Sequence, residues 1–255
     1  MQIIIPIQGK SIFFNADEYY FPKPLIEIDG RLMIEHVIGR VKYCYPNASY
    51  TFIIDSEDAE RHSLDKTLEI ITDKKCSIII KPGQTSGALC TCLLAKGMID
   101  QNSELIIMNS DQVIDVDLNR VIEKFRQEGQ DAGLITFQSV HPRWSYVTCG
   151  KDNLVDNCVE KQVISKNAVA GFYYYKQASK FFKSAESAMI KGNSVNEQFF
   201  VSATINEIIL EDGKVGKYDI DVSKYNSLYT PEKLKEYEDK LKEKEHRLNK
   251  NINIV

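Results

Sequence analysis

A glycine followed by a lysine and a serine is the first part of the chain that could bind a phosphate. Gly9, Lys10 and Ser11 come directly after an apolar segment that predicts a β-strand. A P-loop needs another glycine five residues before Gly9, and that position is Ile4. The strand also continues almost to Gly9, which leaves no room for a loop around a phosphate. This tripeptide therefore does not predict a P-loop.

The residues of common hydrolase and zinc sites are missing from the sequence. It contains no Gly-x-Ser-x-Gly segment, and its four histidines are scattered without partners at metal-ligand spacing. None of the six cysteines is paired at the two-residue spacing of zinc or redox sites. We interpret them as free thiols in a reducing cytoplasm. Hydrolase and zinc-protease functions are therefore not expected.

A stronger pattern is an ordered series of polar segments after predicted strands. A loop with Gly9 is followed by Phe-Pro-Lys-Pro-Leu at 21–25, a helix, and later Asn-Ser-Asp-Gln at 109–112. This order resembles the nucleotidyltransferases of the sugar-phosphate pyrophosphorylase and cytidylyltransferase type. The resemblance covers about residues 2–234, and it is carried by segments 22–34, 83–88, 109–111, 142–147, 160–161 and 218–221.

The resemblance implies transfer of a nucleoside monophosphate to a small phosphorylated acceptor, with release of pyrophosphate. Both substrates are anions, so the site must supply cations and Mg2+ against the repulsion of like charges. By the family pattern, Lys23 neutralises the α-phosphate, Lys161 holds the acceptor phosphate, and Glu160 orders the loop of Lys161.

Two aspartates are the implied Mg2+ ligands, because Mg2+ prefers oxygen and needs only one or two carboxylates beside phosphates. Asp111 follows one predicted strand and Asp221 follows a later one, with Asp219 as the alternative to Asp221. The alternative for Asp111 is a turn or helix-capping residue, a common use of aspartate in loops.

The nucleotide is expected to bind between two loops of the family pattern. The implied residues are Ile7, Gln8, Gly9, Lys10, Ser11, Gln84, Gly87 and Ala88. The first loop departs from that pattern, since Ser11 replaces a second glycine and Phe13 replaces an arginine. The change removes a cation for the β- and γ-phosphates, which Lys10 is expected to replace.

Acceptor recognition is expected from the part of the chain after residue 140. The implied residues are Arg143, Tyr146, Glu160, Glu197 and Asn206. Within the family, the sequence most resembles cytidylyltransferases of bacterial capsule biosynthesis that serve the phosphoramidate modification. This resemblance implies CTP as the donor and L-glutamine phosphate as the acceptor, giving CDP-L-glutamine.

Two alternatives remain open on the sequence. A sugar-1-phosphate nucleotidyltransferase using CTP, UTP or dTTP has the same motifs, and Glu197 could hold either sugar hydroxyls or an α-ammonium group. A catalytically degenerate nucleotide-binding subunit would explain the altered first loop. The presence of both implied lysines, Lys23 and Lys161, and of both aspartates, Asp111 and Asp221, argues against the degenerate subunit.

Alternating strands and helices must position these residues. Strand-like runs occur at 2–7, 50–55, 76–81, 104–108 and 131–138, and helical patterns at 33–41, 56–72, 86–98 and 117–129. This alternation predicts an α/β fold with a doubly wound, mostly parallel sheet, Rossmann-like and of the GT-A type, which binds ligands beyond the carboxyl ends of its strands. Short strands at 145–149, 154–159 and 168–175 predict a small antiparallel insertion within about residues 140–200.

A charged carboxy-terminal helix and tail are predicted at 231–255, after a single nucleotidyltransferase domain at 1–230. Thr230 would cap the helix and Pro231 would occupy its first turn. Its apolar residues form one narrow stripe, namely Leu234, Tyr237, Leu241 and Leu248. The stripe is interpreted as packing along its own domain, with the seam of a homodimer as the alternative.

The composition is that of an ordinary globular protein of 255 residues, 43% of them hydrophobic and 27% charged. A net charge of −4 gives no general attraction to nucleic acid or to an anionic membrane. The apolar runs are too short to span a bilayer. The amino terminus has no basic region or cleavage site of a signal peptide, so a cytoplasmic location is expected.

Overall fold

Isoleucine-rich segments form the centre of the protein. The computed structural model describes residues 1–7, 13–15 and 17–252, with no side chains beyond 247, and its first strand, β1, spans Gln2–Pro6. Ile3 and Ile5 belong to the core on one face of the sheet and Ile4 to the core on the other, each fully buried. Because side chains alternate along a strand, β1 needs apolar residues at every position, which places it inside the sheet.

Twelve further strands and eight helices follow β1 in the described chain. The strands are β2 (Glu27–Ile28), β3 (Arg31–Leu32), β4 (Ser49–Asp55), β5 (Cys76–Lys81), β6 (Leu105–Met108), β7 (Gln112–Ile114), β8 (Ala132–Gln138), β9 (Tyr146–Cys149), β10 (Val155–Val159), β11 (Asn167–Tyr175), β12 (Val215–Ile220) and β13 (Tyr225–Ser227). The helices are α1 (Met33–Cys44), α2 (Ser56–His62), α3 (Leu64–Ile71), α4 (Ala88–Leu93), α5 (Leu118–Gln127), α6 (Ala178–Ile190), α7 (Ala203–Leu210) and α8 (Pro231–Ile252). Short 3-10 turns cover Lys23–Leu25 and Val222–Lys224.

Nine strands of the described chain form one sheet. Its order is β10-β9-β11-β6-β1-β4-β5, and β8 also pairs with β11 and carries β12 on its other side. β1 is parallel to β4 and β6, β4 to β5, and β8 to β12, whereas β11 runs antiparallel to β6, β8 and β9. The predicted mostly parallel sheet is therefore confirmed. The antiparallel strands join this same sheet, because β11 lies directly beside β6.

Several local expectations differ from the structure. The stretch 56–72 divides into α2 and α3 at Ser63, whose backbone is left-handed with a φ of 51°. The stretch 86–98 is helical only as far as Leu93 and then forms turns. The strands β2, β3, β7 and β13 were not predicted, because two or three residues are too few to show a period. Within the described ranges, no helix combines the length and apolar character needed to cross a membrane.

The carboxy-terminal helix α8 packs on its own domain. Leu234 and Tyr237 are buried in the main core, and Lys240 donates a hydrogen bond to the Asn226 side chain of β13 at 2.6 Å. Leu234 and Tyr237 of the apolar stripe therefore pack within the chain, and the helix supports β13. The Leu248 side chain lies outside the described residues.

An acidic residue ties α8 to the rest of the fold. Asp115, which follows β7, pairs with Arg40 of α1 and Lys244 of α8. Burial of this carboxyl group by itself raises its pKa, but the hydrogen bonds from the two cations outweigh burial and lower the pKa of Asp115 to about 2.

Replacing Tyr237 by alanine should lower the free energy of unfolding by about 2–4 kcal/mol, because a buried aromatic ring is lost from the core. Urea denaturation followed by circular dichroism measures the change. Lys235→Ala is the matched control on the exposed side of α8 and should leave the midpoint nearly unchanged. An unchanged midpoint for Tyr237→Ala would show that α8 does not pack on the domain in solution.

Candidate active site

Asp111 lies just past the carboxyl end of β6, in a segment shaped by a glycine of the neighbouring strand. The pairing of β11 with β8 is irregular at the centre of β11, which marks a β-bulge. Gly171 in this bulge has a φ of 59°, and a Cβ there would lie 2.7 Å from the Gln112 side chain. The Gly171 carbonyl accepts a hydrogen bond from the Asn109 amide at 3.1 Å. The bulge thus positions the segment that carries Asp111.

Lys23 and Asp111 form an ion pair, although 88 residues separate them in the chain. Two flanking prolines restrict the turn Lys23–Leu25, and Lys23 is only 7% exposed. Its Nζ lies 2.7 Å from Asp111 Oδ2, and the Asp111 side chain is 21% exposed. The structure therefore brings together two residues predicted to be catalytic. Such a cation can neutralise a phosphate, and such a carboxylate can bind a hard metal ion.

Tyr229, which the sequence analysis did not identify, contacts this pair. β13 pairs with β7, and the Leu228 amide donates a hydrogen bond to the Asp111 carbonyl at 2.8 Å. The ring centre of Tyr229 lies 5.4 Å from Lys23 Nζ and 4.9 Å from the ring centre of Phe13. The one signal in the sequence is the position of Tyr229 directly before the predicted helix cap.

Arg143 is held between two aromatic rings. Its Cζ lies 4.3 Å from the ring centre of Trp144 and 4.6 Å from that of Tyr229. Trp144 is itself packed edge-on against Phe137 and Tyr225, with 5.5 and 5.3 Å between ring centres. No carboxylate of the described residues lies within 4.0 Å of the Arg143 guanidinium. The rings therefore hold the group in place without neutralising its charge.

Glu160 and Lys161 form a second polar group, in the connection between β10 and β11. Glu160 accepts hydrogen bonds from the hydroxyls of Ser145 and Ser202, the latter at 2.7 Å, and so joins three segments. Lys161 Nζ lies 4.5 Å from the ring centre of Phe200. The φ of Lys161 is 55°, a conformation that costs a non-glycine residue about 1–3 kcal/mol. Strain of this kind is concentrated at functional sites.

The turn at 195–198 presents Glu197 to solvent. Val195 and Gln198 exchange backbone hydrogen bonds at 2.9 and 3.1 Å. Both central residues are left-handed, with φ of 51° at Asn196 and 60° at Glu197. Glycine, asparagine or aspartate normally occupies such positions, so a glutamate there is strained as Lys161 is. Its exposed carboxylate is accessible to a ligand.

The side chains of two other residues expected to contact the acceptor form hydrogen bonds with the protein backbone. Tyr146 is fully buried, and its hydroxyl donates to the His141 carbonyl at 2.8 Å. The Asn206 side chain bonds both the amide and the carbonyl of Cys158, each at 2.8 Å. Both side chains therefore stabilise the walls of the site, and the burial of Tyr146 leaves no ring surface to offer an acceptor.

The residues predicted to bind the nucleotide follow β1 and β5. Gln8, Gly9, Lys10 and Ser11 lie outside the described residues. The side chain of Ile7 is buried and its amide donates to the Ile53 carbonyl at 2.9 Å. The expected contact of the Ile7 backbone with the nucleotide stays a prediction. Gln84 is exposed in the loop after β5, and Ala88 begins α4.

Gly87 is required by packing against Phe199. Its backbone has a φ of 108° and a ψ of 171°, and a Cβ would lie 2.7 Å from the Phe199 nitrogen and closer still to the carbonyl oxygen. The Phe199 amide donates to the Ser86 carbonyl at 2.7 Å, and the Leu89 amide donates to the Phe199 carbonyl at 3.1 Å. The Phe199 backbone therefore lies against Gly87 and joins the loop after β5 to the segment before Phe200. The expected contact of Gly87 with the nucleotide stays a prediction.

Replacing Gly87 by alanine should lower the free energy of unfolding by about 1–3 kcal/mol, because both the left-handed backbone and the Phe199 contact oppose a side chain. Chemical denaturation measures this loss. Gly97→Ala is the control, since its Cβ would meet no atom within 4 Å. Equal midpoints for the two variants would contradict the packing contact.

Asp111 is well placed to hold Mg2+. Its Oδ2 contacts Lys23, the side chain is partly exposed, and Mg2+ needs only one or two carboxylates besides phosphates and water. No group of three or more histidine, cysteine, aspartate or glutamate side chains in the described part of the chain could hold a metal ion. The single, partly exposed carboxylate of Asp111 fits an ion whose other ligands are substrate phosphates and water.

The two other candidate metal ligands have protein partners. Asp221 is exposed and caps the turn Val222–Lys224, where hydrogen bonds with Ser223 lower its pKa. Burial raises the pKa of Asp219, but hydrogen bonds from Lys217 and Thr136 outweigh burial and lower it. The assignment of either residue to Mg2+ stays a prediction.

Comparisons with known proteins identify the family of the chain and show the fold that it shares with solved structures. Residues 19–233 match the family model described as nucleotidyl transferase, and no curated protein sequence matches the chain. A nucleoside-diphosphate-sugar pyrophosphorylase from Vibrio cholerae RC9 superposes with a TM-score of 0.80 at 18% identity, over 93% of this chain and 99% of that one. A candidate glucose-1-phosphate thymidylyltransferase from Bacillus anthracis, in complex with a sucrose, gives 0.73 at 17% identity over 93% and 94%. At these identities the solved structures show a shared fold. Since the family model spans most of its length, the chain belongs to the nucleotidyl transferase family.

Proposed function

We propose that this nucleotidyltransferase moves a nucleoside monophosphate from a triphosphate to a small phosphorylated acceptor and releases pyrophosphate. The observation that carries the proposal is the ion pair of Lys23 and Asp111 beyond the carboxyl end of β6, with 2.7 Å between Nζ and Oδ2. A buried cation beside a partly exposed carboxylate suits a place where an α-phosphate gains negative charge. Lys161 supplies a further cation for the acceptor phosphate.

In the proposed reaction, an oxygen of the acceptor phosphate attacks the α-phosphorus of the donor. The bond from the α-phosphorus to the oxygen that bridges it to the β-phosphorus breaks, and the electron pair leaves with pyrophosphate. Lys23 neutralises charge that develops at the α-phosphate, and Lys161 holds the attacking phosphate in line. A phosphate nucleophile is already ionised at neutral pH, so no side chain has to act as a general base.

Asp111 is proposed to hold Mg2+ together with the substrate phosphates. When bound, the ion supplies positive charge that reduces repulsion between the two anionic substrates. The contact of Lys23 with Oδ2 orients the Asp111 carboxylate for this task.

CTP is the proposed donor and L-glutamine phosphate the proposed acceptor, which makes the protein a CTP:phosphoglutamine cytidylyltransferase of capsule phosphoramidate synthesis. Resemblance to capsule cytidylyltransferases supports this choice. The exposed carboxylate of Glu197 also suits an α-ammonium group. A sugar 1-phosphate is the second candidate acceptor, because both solved structures are described as enzymes of sugar nucleotides. In that case Glu197 would accept hydrogen bonds from sugar hydroxyls.

A pyrophosphate-release screen tests the proposal. The four ribonucleoside triphosphates and dTTP are combined with Mg2+ and with phosphorylated sugars, alcohols and amino acids. We expect the fastest release with CTP and L-glutamine phosphate. Release that needs a sugar 1-phosphate would favour the second candidate. Nucleotide binding without release in any combination would overturn the enzymatic proposal and indicate a degenerate nucleotide-binding subunit.

A further inference from the structure

Two cations of the site are held by aromatic rings instead of carboxylates. Arg143 lies between Trp144 and Tyr229, and Lys161 lies over Phe200. Lys23 differs, because it is paired with a carboxylate at 2.7 Å. Ring contacts leave the charge of a cation available to an incoming anion, whereas a carboxylate partner neutralises part of that charge. The guanidinium of Arg143 can therefore bind a phosphate.

The ring contacts connect Arg143 to the donor side of the site. The ring centre of Tyr229 lies 4.6 Å from Arg143 Cζ, 5.4 Å from Lys23 Nζ and 4.9 Å from the ring centre of Phe13. Phe13 stands where the family pattern described above has an arginine for the β- and γ-phosphates. Lys161 lies over a different ring, that of Phe200. Arg143 thus shares the ring of Tyr229 with Lys23 and with Phe13, the residue that replaces the family's arginine.

Packing also connects Arg143 to the segment of Asp111. The ring of Trp144, whose centre lies 4.3 Å from Arg143 Cζ, is packed edge-on against the ring of Tyr225, with 5.3 Å between ring centres. The Tyr225 hydroxyl donates a hydrogen bond to Oε1 of Gln112 at 3.3 Å, and Gln112 directly follows Asp111 in the chain.

We propose that Arg143 binds the β- and γ-phosphates of the donor, in place of the arginine that Phe13 replaces, and that Tyr229 is the positioning residue for Arg143. This inference rests on the proposed function and revises the expectation that Arg143 binds the acceptor. When the bond between the α-phosphorus and the bridging oxygen breaks, Arg143 neutralises the charge that collects on the leaving pyrophosphate. The replacement cation comes from the segment before β9, far from the first loop in sequence.

Steady-state kinetics separate a donor role from an acceptor role. Arg143→Ala should raise the KM for the triphosphate about 10- to 100-fold, because a charge-assisted hydrogen bond is lost, and should change the KM for the acceptor less than about 2-fold. Arg120→Ala removes the same charge from an exposed position on α5 and should change neither constant. A raised KM for the acceptor with an unchanged KM for the triphosphate, or no change in either, overturns the proposal.

Two variants of Tyr229 test the positioning role. Tyr229→Phe keeps the ring and should behave like the parent protein within about 2-fold. Tyr229→Leu removes the ring and should raise the KM for the triphosphate in the same direction as Arg143→Ala. An equal rise in the KM for the triphosphate in both variants would assign the effect to the hydroxyl and not to the ring. An unchanged KM in Tyr229→Leu would show that the ring has no effect. Either result contradicts positioning by stacking.

A binding measurement keeps this inference separate from the proposed reaction. The probe is inorganic pyrophosphate with Mg2+, measured by calorimetry and by the fluorescence of Trp144, the single tryptophan of the chain. Pyrophosphate should change Trp144 emission in the parent protein, and Arg143→Ala should weaken calorimetric binding about 10-fold or more. This result is expected whatever the acceptor is. Equal binding by the parent protein and Arg143→Ala overturns the role of Arg143, even if the release screen succeeds.

Discussion

Replacing Asp111 by asparagine should lower turnover at least about 100-fold while the protein stays folded. The substitution removes the charge that would hold Mg2+ beside the substrate phosphates. It keeps an oxygen that can accept the hydrogen bond from Lys23, so the buried ammonium does not lose its partner. Pyrophosphate release at saturating substrates measures the loss, and urea denaturation should show a change in unfolding free energy of about 1 kcal/mol or less.

Asp115→Asn is a matched control for this experiment. Asp115 lies in the same part of the chain but pairs with Arg40 and Lys244, away from Lys23. This control is expected to lose stability and to keep most of its turnover. Normal turnover in Asp111→Asn would contradict the assignment of Asp111 as the metal-binding residue.

Replacing Lys23 by methionine should lower turnover about 100- to 1,000-fold, the second large effect expected at the site. Methionine preserves much of the aliphatic stem, so the loss reflects the ammonium group that would neutralise the α-phosphate. The unpaired Asp111 keeps contact with water through its exposed part. Single-turnover measurements should show a slower chemical step, with a smaller change in affinity for the triphosphate.

Lys81→Met tests whether any buried lysine would give the same result. Lys81 is as buried as Lys23 and pairs with Asp55 at the end of β4 and β5. Its replacement is expected to lower stability more than the rate of the chemical step. If Lys23→Met also changed only stability, the account of Lys23 as the group at the α-phosphate would be wrong.

The sequence alone predicts the strand–helix alternation, and it identifies Lys23 and Asp111 as candidate site residues. The hydrophobic pattern of long apolar runs, such as those of β1 and β4, predicts strands. Each catalytic candidate lies in a short contiguous motif that can be recognised in the sequence. The place of Tyr229 could not be predicted, because it depends on the pairing of β13 with β7. A hydrogen bond between Tyr225 and Gln112 in that pairing joins residues 113 positions apart. Strands of three residues carry no detectable period.

Backbone conformation explains the other features that sequence reasoning missed. Left-handed positions are normally predicted from glycine or asparagine, whereas Lys161 and Glu197 adopt them as charged residues. Only the surrounding contacts, such as those of Glu160 with two serines, compensate for the strain. The packing that excludes a side chain at Gly87 comes from Phe199, a residue far away along the chain, and could not be predicted from the sequence.

Transfer of a nucleotidyl group by the proposed Lys23–Asp111 site can be followed with radioactive phosphorus at the α position of CTP. The labelled CTP is incubated with Mg2+, L-glutamine phosphate and the parent protein. We expect that all transferred label enters the acceptor conjugate, that pyrophosphate is unlabelled, and that Asp111→Asn forms almost no conjugate. Label recovered as free CMP or CDP, or equal transfer by Asp111→Asn, would contradict the proposed transfer.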